Sequence, residues 1–100
     1  MIEMKASIKA IGGKLTKSKG FLEQKYQVSK IGVFGSVSRG EAGRGSDIDI
    51  LVDFKKPIGW EFIDLKEYLE HILGGRVDLV TTNALKPQLR ERILSEVVYA

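Results

Sequence analysis

Apolar side chains recur along the chain at two different spacings, and these spacings predict three long helices and three strands. Apolar residues three and four positions apart form one face of a helix, and they mark segments near the start, in the middle and near the end. Alternating apolar positions and short apolar runs mark strands between those segments. The predicted strands cover residues 28–34, 47–54 and 76–81.

The first helical segment is interrupted by two glycines. Its apolar positions recur at steps of four and three: Met4, Ile8, Ile11 and Leu15. The apolar face then continues to about residue 27, past Gly12 and Gly13. Each glycine costs about 1 kcal/mol relative to alanine in a helix interior. The pattern therefore leaves two outcomes open, one long helix or a kink that divides it into two short ones.

The rest of the chain carries clear turn and cap signals. A short helix is predicted over residues 36–41, followed by a glycine-rich turn over 42–46. The middle helix is predicted over residues 60–73, and Gly74 and Gly75 end it as a left-handed cap.

Two further expectations concern packing and caps. Trp60 and Phe62 are expected to pack at the entry of the middle helix or in the core. Asn83 is expected to cap the last helix. Residues 97–99 finish either as helix or as a short edge strand.

Chain order constrains the topology. The second and third strands are joined through a helix and should run parallel. The first strand ends at Gly35 and Ser36 while the second begins at Asp47, so these two strands are antiparallel neighbours if both ends face one site. The predicted fold is α/β (α+β), a small mixed sheet of three to four strands with helices packed on one face. Residues 1–100 form one domain, with a helical segment over 1–25 and a core over 26–100.

Composition excludes several classes of protein. Hydrophobic residues make up 43% of the 100 residues and charged residues 29%, as in ordinary globular chains. The sequence contains no cysteine, which excludes disulfides and thiolate metal sites. No apolar run approaches the ~20 residues of a membrane span, and the first residues lack the apolar core of a signal peptide. These features predict a cytoplasmic protein with no membrane association.

Basic residues are scattered, and the net charge is only +3. Lysines lie opposite the apolar face of the first helix: Lys5, Lys9, Lys14, Lys17 and Lys19. A nucleic-acid surface is one interpretation, but the pattern favours a solvated helix face. A dedicated duplex-DNA binder should carry a stronger basic patch.

The candidate chemistry begins where the first strand ends. Gly35 and Ser36 follow an apolar strand and precede a helix, which puts backbone N–H groups where an anion can bind. Ten residues later, Asp47 and Asp49 alternate with isoleucines, so both carboxylates point to one face of the second strand. At about 6.6 Å apart, two such charges repel by ~2.5 kcal/mol at an effective dielectric of about 20. This arrangement favours a bound cation.

A third carboxylate joins them from the next strand. Asp78 lies as near the start of its strand as Asp49 does in the parallel neighbour. Three converging carboxylates suit two hard cations such as Mg²⁺, which take oxygen ligands and leave positions for substrate phosphate. Asp53 lies about 13 Å beyond Asp49 and is excluded. Phosphate-binding groups beside carboxylate-bound metals predict phosphoryl or nucleotidyl transfer.

These residues resemble a known signature. Gly35-Ser36, ten residues, Asp47-x-Asp49 and a later Asp78 look like the nucleotidyltransferases of the DNA polymerase β superfamily. The surrounding residues 34–41 and 45–52 are similar to the minimal nucleotidyltransferase (MNT) domain family, and the resemblance covers about residues 26–100.

The resemblance implies a role for each matching residue. Asp47 and Asp49 bind two Mg²⁺ ions, while Asp78 binds one of them and helps to deprotonate the acceptor hydroxyl. Ser36, beside Gly35, binds the β- and γ-phosphates of ATP or another nucleoside triphosphate. Arg39 is either a phosphate contact or a structural ion pair, for example with Glu41.

The resemblance also implies a partner. Antitoxin members of the family act on HEPN-type toxins, and some transfer AMP from ATP to a tyrosine of that toxin. The chain is therefore expected to be an AMPylating antitoxin. Two alternatives stay open: a catalytically silent antitoxin of the same fold, and a nucleic-acid-binding protein that uses the lysine-rich helix. The sequence leaves the oligomeric state undetermined.

Overall fold

The computed structural model describes residues 7–41 and 45–100, which form one four-stranded sheet with helices. The elements in chain order are α1 (Ile8–Tyr26), β1 (Val28–Phe34), α2 (Gly35–Ser38), β2 (Ile48–Phe54), α3 (Glu61–Leu73), β3 (Val77–Thr81), a 3-10 turn (Thr82–Ala84), α4 (Pro87–Glu96) and β4 (Val98–Tyr99). Met4 and Lys5, and most of the predicted turn over 42–46, lie outside the described residues.

The first helix, α1, is continuous through both glycines, which decides between the two open outcomes. The Ser7 hydroxyl accepts a hydrogen bond from the Ala10 N–H at its start. Ile11 and Leu15, one on each side of the glycines along the helix, are buried, and so is Leu22 further along. Burying each large apolar side chain contributes about 1.5–3 kcal/mol, which outweighs a cost of about 1 kcal/mol per glycine.

Replacing Gly13 by alanine should therefore stabilise the protein. Gly13 is exposed in a helix interior, and a Cβ built on it meets no atom within 4 Å. We expect Gly13→Ala to raise the free energy of unfolding by about 1 kcal/mol. The midpoint of thermal unfolding should rise by roughly 4–8 °C.

Gly74→Ala is the matched control for backbone conformation. Gly74 also has open space around it, but it caps α3 with a φ of 73°, which disfavours any side chain. This variant should melt at a lower temperature than the wild type. A lower midpoint for Gly13→Ala would contradict the expected gain.

The strands pair as the sequence predicts. The sheet order is β3-β2-β1-β4, with β1 antiparallel to β2 and β2 parallel to β3. The fourth strand, β4, confirms the strand alternative for residues 97–99 and lies antiparallel to β1 at the edge of the sheet.

The core lies on one face of the sheet, under α1 and α3. Apolar residues of both helices and of three strands form a single cluster. In β2, Ile48 and Ile50 enter this cluster and are buried, whereas Asp49 between them points to the opposite face. The alternation of the second strand thus places its carboxylate outside the core.

Two expectations are wrong. Asn83 does not cap the last helix but lies in the 3-10 turn. The helix starts later, at Pro87, because the fixed φ of proline suits the first helical position. Trp60 is 86% exposed and only precedes α3, while Phe62 packs against the core as expected.

Among the helices within the described ranges, none combines the length and apolar character that crossing a bilayer requires.

Candidate active site

The end of β1 and the start of β2 meet at one point. Phe34 is the Cα partner of Asp49, so Gly35, the next residue, lies directly beside the Asp49 side chain. Gly35 has a φ of 73°, and a Cβ built on it would overlap Asp49 Oδ2. The short helix α2 that follows is anchored by Val37, which is 1% exposed in the core. Only glycine permits this close approach.

Asp49 and Asp78 are brought together as predicted. They are Cα partners on the parallel strands β2 and β3, and their carboxyl groups are within hydrogen-bonding reach. Burial, then the carboxylates of Asp78 and Asp47, raise the pKa of Asp49 to about 6. Arg39 is the cation that opposes this shift. The pair therefore carries negative charge that nearby cations balance only in part.

Asp47 is adjacent, but its carboxylate is turned aside. It lies just before β2, and its Oδ1 is 3.3 Å from Arg76 Nε in an exposed ion pair. Within residues 7–41 and 45–100, no three His, Asp or Glu side chains stand close enough together to hold a metal ion. Exposed ion pairs contribute only about 0–1 kcal/mol, so rotating Asp47 away from Arg76 costs little.

This donor set fits a hard divalent cation. Asp49 and Asp78 offer carboxylate oxygens, the ligands that Mg²⁺ prefers. Their mutual repulsion raises the pKa of Asp49, and a cation between them would relieve it. Asp47 lies within electrostatic range of Asp49 and can add oxygens by side-chain rotation. Asp53 lies four residues further along β2 and is not one of these donors.

Magnesium should stabilise the wild type, and Asp49→Asn should abolish that effect. Because the folded state binds the Asp49 proton more tightly than the unfolded chain does, stability falls as pH rises from 3.8 to about 6. In EDTA at neutral pH, Asp49→Asn should raise the free energy of unfolding by about 1 kcal/mol, a value discounted for partial solvation. Added Mg²⁺ should then raise the melting midpoint of the wild type alone.

NaCl at matched ionic strength is the control for that melting experiment. A wild type whose midpoint rises equally in NaCl and MgCl₂ would contradict a specific cation site, since screening alone would explain it.

The predicted phosphate-binding residues are already engaged with acidic side chains. The Gly35 N–H, expected to be free, donates to Glu96 Oε2 at 2.7 Å. Arg39 donates from Nε to Glu41 at 2.9 Å and from Nη1 to Glu96 at 3.2 Å. Both interpretations of Arg39 therefore stay open, because an ion pair is present at a position suited to phosphate. Ser36 is half-buried beside Gly35.

Glu96 is the residue that sequence reasoning missed. It is one of two glutamates in the last helix, and no spacing relates it to Gly35. The pairing of β4 with β1 brings it to the site.

Comparison with known proteins defines the class. Residues 15–100 match the family model described as the nucleotidyltransferase domain. The chain belongs to this family and is a nucleotidyltransferase.

Individual relatives show which nucleotidyltransferases the chain resembles. The chain is 52% identical over 86 residues to the protein adenylyltransferase MntA of Thermococcus cleftensis, a match that covers 85% of this chain and 87% of that protein. A solved structure assigned as a minimal nucleotidyltransferase has a TM-score of 0.79 at 34% identity and covers 92% of this chain and 94% of its own. A toxin–antitoxin structure with AMP-PNP has a TM-score of 0.71 at 27% identity, over 88% of this chain and 70% of the other.

Proposed function

We propose that this protein is a Mg²⁺-dependent protein adenylyltransferase that acts as an antitoxin. It transfers AMP from ATP to a hydroxyl group, a tyrosine of a HEPN-type toxin. The observation that carries the proposal is the paired carboxyl groups of Asp49 and Asp78 beside Gly35. The relatives support a protein acceptor in a toxin–antitoxin pair, since one is a protein adenylyltransferase and another is a toxin–antitoxin structure with AMP-PNP. The proposed location is the cytoplasm, where ATP is available.

Each site residue has a separate task. Asp47 and Asp49 would hold two Mg²⁺ ions and Asp78 one of them, and the bound ions would neutralise charge on the attacking and leaving oxygens. Ser36, Arg39 and the loop at Gly35 bind and orient the β- and γ-phosphates.

The reaction is an in-line displacement at the α-phosphorus. The acceptor oxygen forms a bond to that phosphorus, the bond to the β-phosphate oxygen breaks, and pyrophosphate leaves. Asp78 receives the acceptor proton, for which its exposed position at the start of β3 is suited.

Label transfer tests the proposal directly. The chain is incubated with Mg²⁺, with each of the four α-labelled nucleoside triphosphates, and with the protein encoded by the neighbouring reading frame. We expect label on that partner, strongest with ATP and lost when its acceptor tyrosine is replaced by phenylalanine. A tight complex that acquires no label would instead establish the binding-only antitoxin. Salt-sensitive nucleic-acid binding without transfer would favour the lysine-rich helix as the functional surface.

A further inference from the structure

A single carboxylate holds two groups of the proposed nucleotide site. Glu96 Oε2 accepts a hydrogen bond from the Gly35 N–H at 2.7 Å and lies 3.2 Å from Arg39 Nη1. The Glu96 side chain is only 18% exposed, against 64% for Glu41, the other carboxylate that contacts Arg39. Hydrogen bonds to an ionised group are about twice as strong as neutral ones, and burial strengthens them further. Among the described residues, Glu96 is therefore the carboxylate that connects the Gly35 amide to the Arg39 guanidinium group.

The helix before Glu96 and the strand after it together determine its position. It is the last residue of α4, and a single extended residue, Val97, joins it to β4. Val98 of β4 pairs with Val33 of β1 in an antiparallel register. Glu96 lies two residues before Val98, and Gly35 lies two residues after Val33. The same antiparallel register therefore brings Glu96 beside Gly35.

A close backbone contact holds the register. A Cβ built on Gly32 would lie 2.8 Å from the Val98 carbonyl oxygen, closer than real Cβ atoms come to such an atom, so the absence of a side chain on Gly32 leaves room for β4 to lie against β1. The Ala100 N–H also donates to the Ile31 carbonyl at 2.9 Å.

We propose that Glu96 is a positioning residue for the nucleoside triphosphate, an inference that rests on the proposed function. Arginine has five N–H donors in a planar fork. Glu41 accepts from the Nε donor and Glu96 from an Nη1 donor, which sets the plane of the guanidinium group and leaves the remaining donors for phosphate oxygens. Because Arg39 is already held, it loses less rotamer freedom when it binds phosphate. The bond to Gly35 fixes the adjoining loop in the same way.

The opposite role makes an opposite prediction. If Glu96 only competed with phosphate for Gly35 and Arg39, or only repelled it, removing its charge would tighten nucleotide binding. If Glu96 positions these groups, removing it weakens binding. The sign of the change therefore decides between the two roles.

The test measures the dissociation constant of a non-hydrolysable ATP analogue with Mg²⁺. We expect Glu96→Ala to raise it roughly tenfold, the lower end of the loss when a partner that orients a ligating side chain is removed. Glu96→Gln keeps an acceptor for Gly35 but loses the charge that faces Arg39, and should raise it roughly threefold. Glu91→Gln removes the same charge from an exposed position of α4 and should leave it within about twofold.

A double-mutant cycle identifies the route of the effect. If Glu96 acts through Arg39 in large part, Glu96→Ala should cost much less in an Arg39→Ala background than in the wild type. In steady-state transfer, the KM for ATP should rise while the KM for the protein acceptor stays unchanged, a split that general destabilisation would not produce.

The outcomes separate this inference from the proposed function. Unchanged or tighter binding in Glu96→Ala overturns the positioning role. An equal loss with and without Arg39 overturns the route through Arg39 and supports the route through the Gly35 N–H. If the wild type binds the analogue, but no more tightly than Glu96→Ala does, the positioning role is wrong and the proposed function is unaffected. A wild type that binds no nucleotide overturns both.

Discussion

Asp49→Asn is expected to lower the rate of nucleotidyl transfer about 10³-fold, the scale on which removing one preorganised electrostatic group slows an enzyme. Asp49 lies where three elements meet: it pairs with Phe34 of β1, contacts Gly35 and shares its register position with Asp78 of β3. Asparagine keeps the shape of the side chain, so the loss comes from the missing charge. Initial rates of label transfer at saturating ATP and Mg²⁺ measure it.

Asp53→Asn is the matched control for that substitution. Asp53 lies on the same strand, four residues beyond Asp49, and is also half-buried. Its replacement removes the same charge from the same element, and we expect transfer within about twofold of the wild type. If Asp49→Asn kept more than about a tenth of the activity while remaining folded, the carboxylate pair would not be the reaction centre.

The positions of Asp49 and Asp78 could be predicted from the sequence. Alternation fixes which residues of a strand face away from the core, and Asp49 lies between two buried isoleucines. A helical crossover requires β2 and β3 to be parallel, which puts Asp78 beside Asp49. Both deductions depend on spacings within one segment or on one connection, and the structure confirms both.

Glu96 could not be found in this way. It reaches the site through a two-residue strand that pairs with β1 some 65 residues earlier in the chain. No periodicity marks so short a strand. The same limit explains the wrong expectation for Asn83. Its residue type suits a helix cap, but the last helix begins further along, at Pro87.

The orientation of Asp47 shows a second limit. Its backbone position is predictable from the alternation of β2, but its carboxylate faces Arg76 in the structure. Side-chain rotamers at a strand end depend on the charges of neighbouring elements. The spacing of Asp47 and Asp49 carries no information about those charges.

Gly35→Ala should lower transfer about 10²-fold or more, although it changes no charged or polar side chain. The added Cβ would overlap Asp49 Oδ2 and lie 2.9 Å from Asp49 Cγ, so the aspartate must move. A displacement of about 1 Å in a reacting group can cost 10²-fold in rate. The φ of 73° adds strain of about 1–3 kcal/mol for a residue with a side chain. Transfer is measured well below the melting temperature of the variant, so that unfolding does not contribute.

Gly74→Ala separates strain from displacement in that experiment. Gly74 has the same φ of 73°, but a Cβ built on it meets no atom within 4 Å. Both variants should lose stability, and Gly35→Ala alone should lose transfer. Equal activity in the two variants would mean that Asp49 tolerates movement and that its contact with Gly35 is not required for the reaction. A selective loss would show that the glycine of this loop is needed because it leaves room for the carboxylate, as well as for its own backbone conformation.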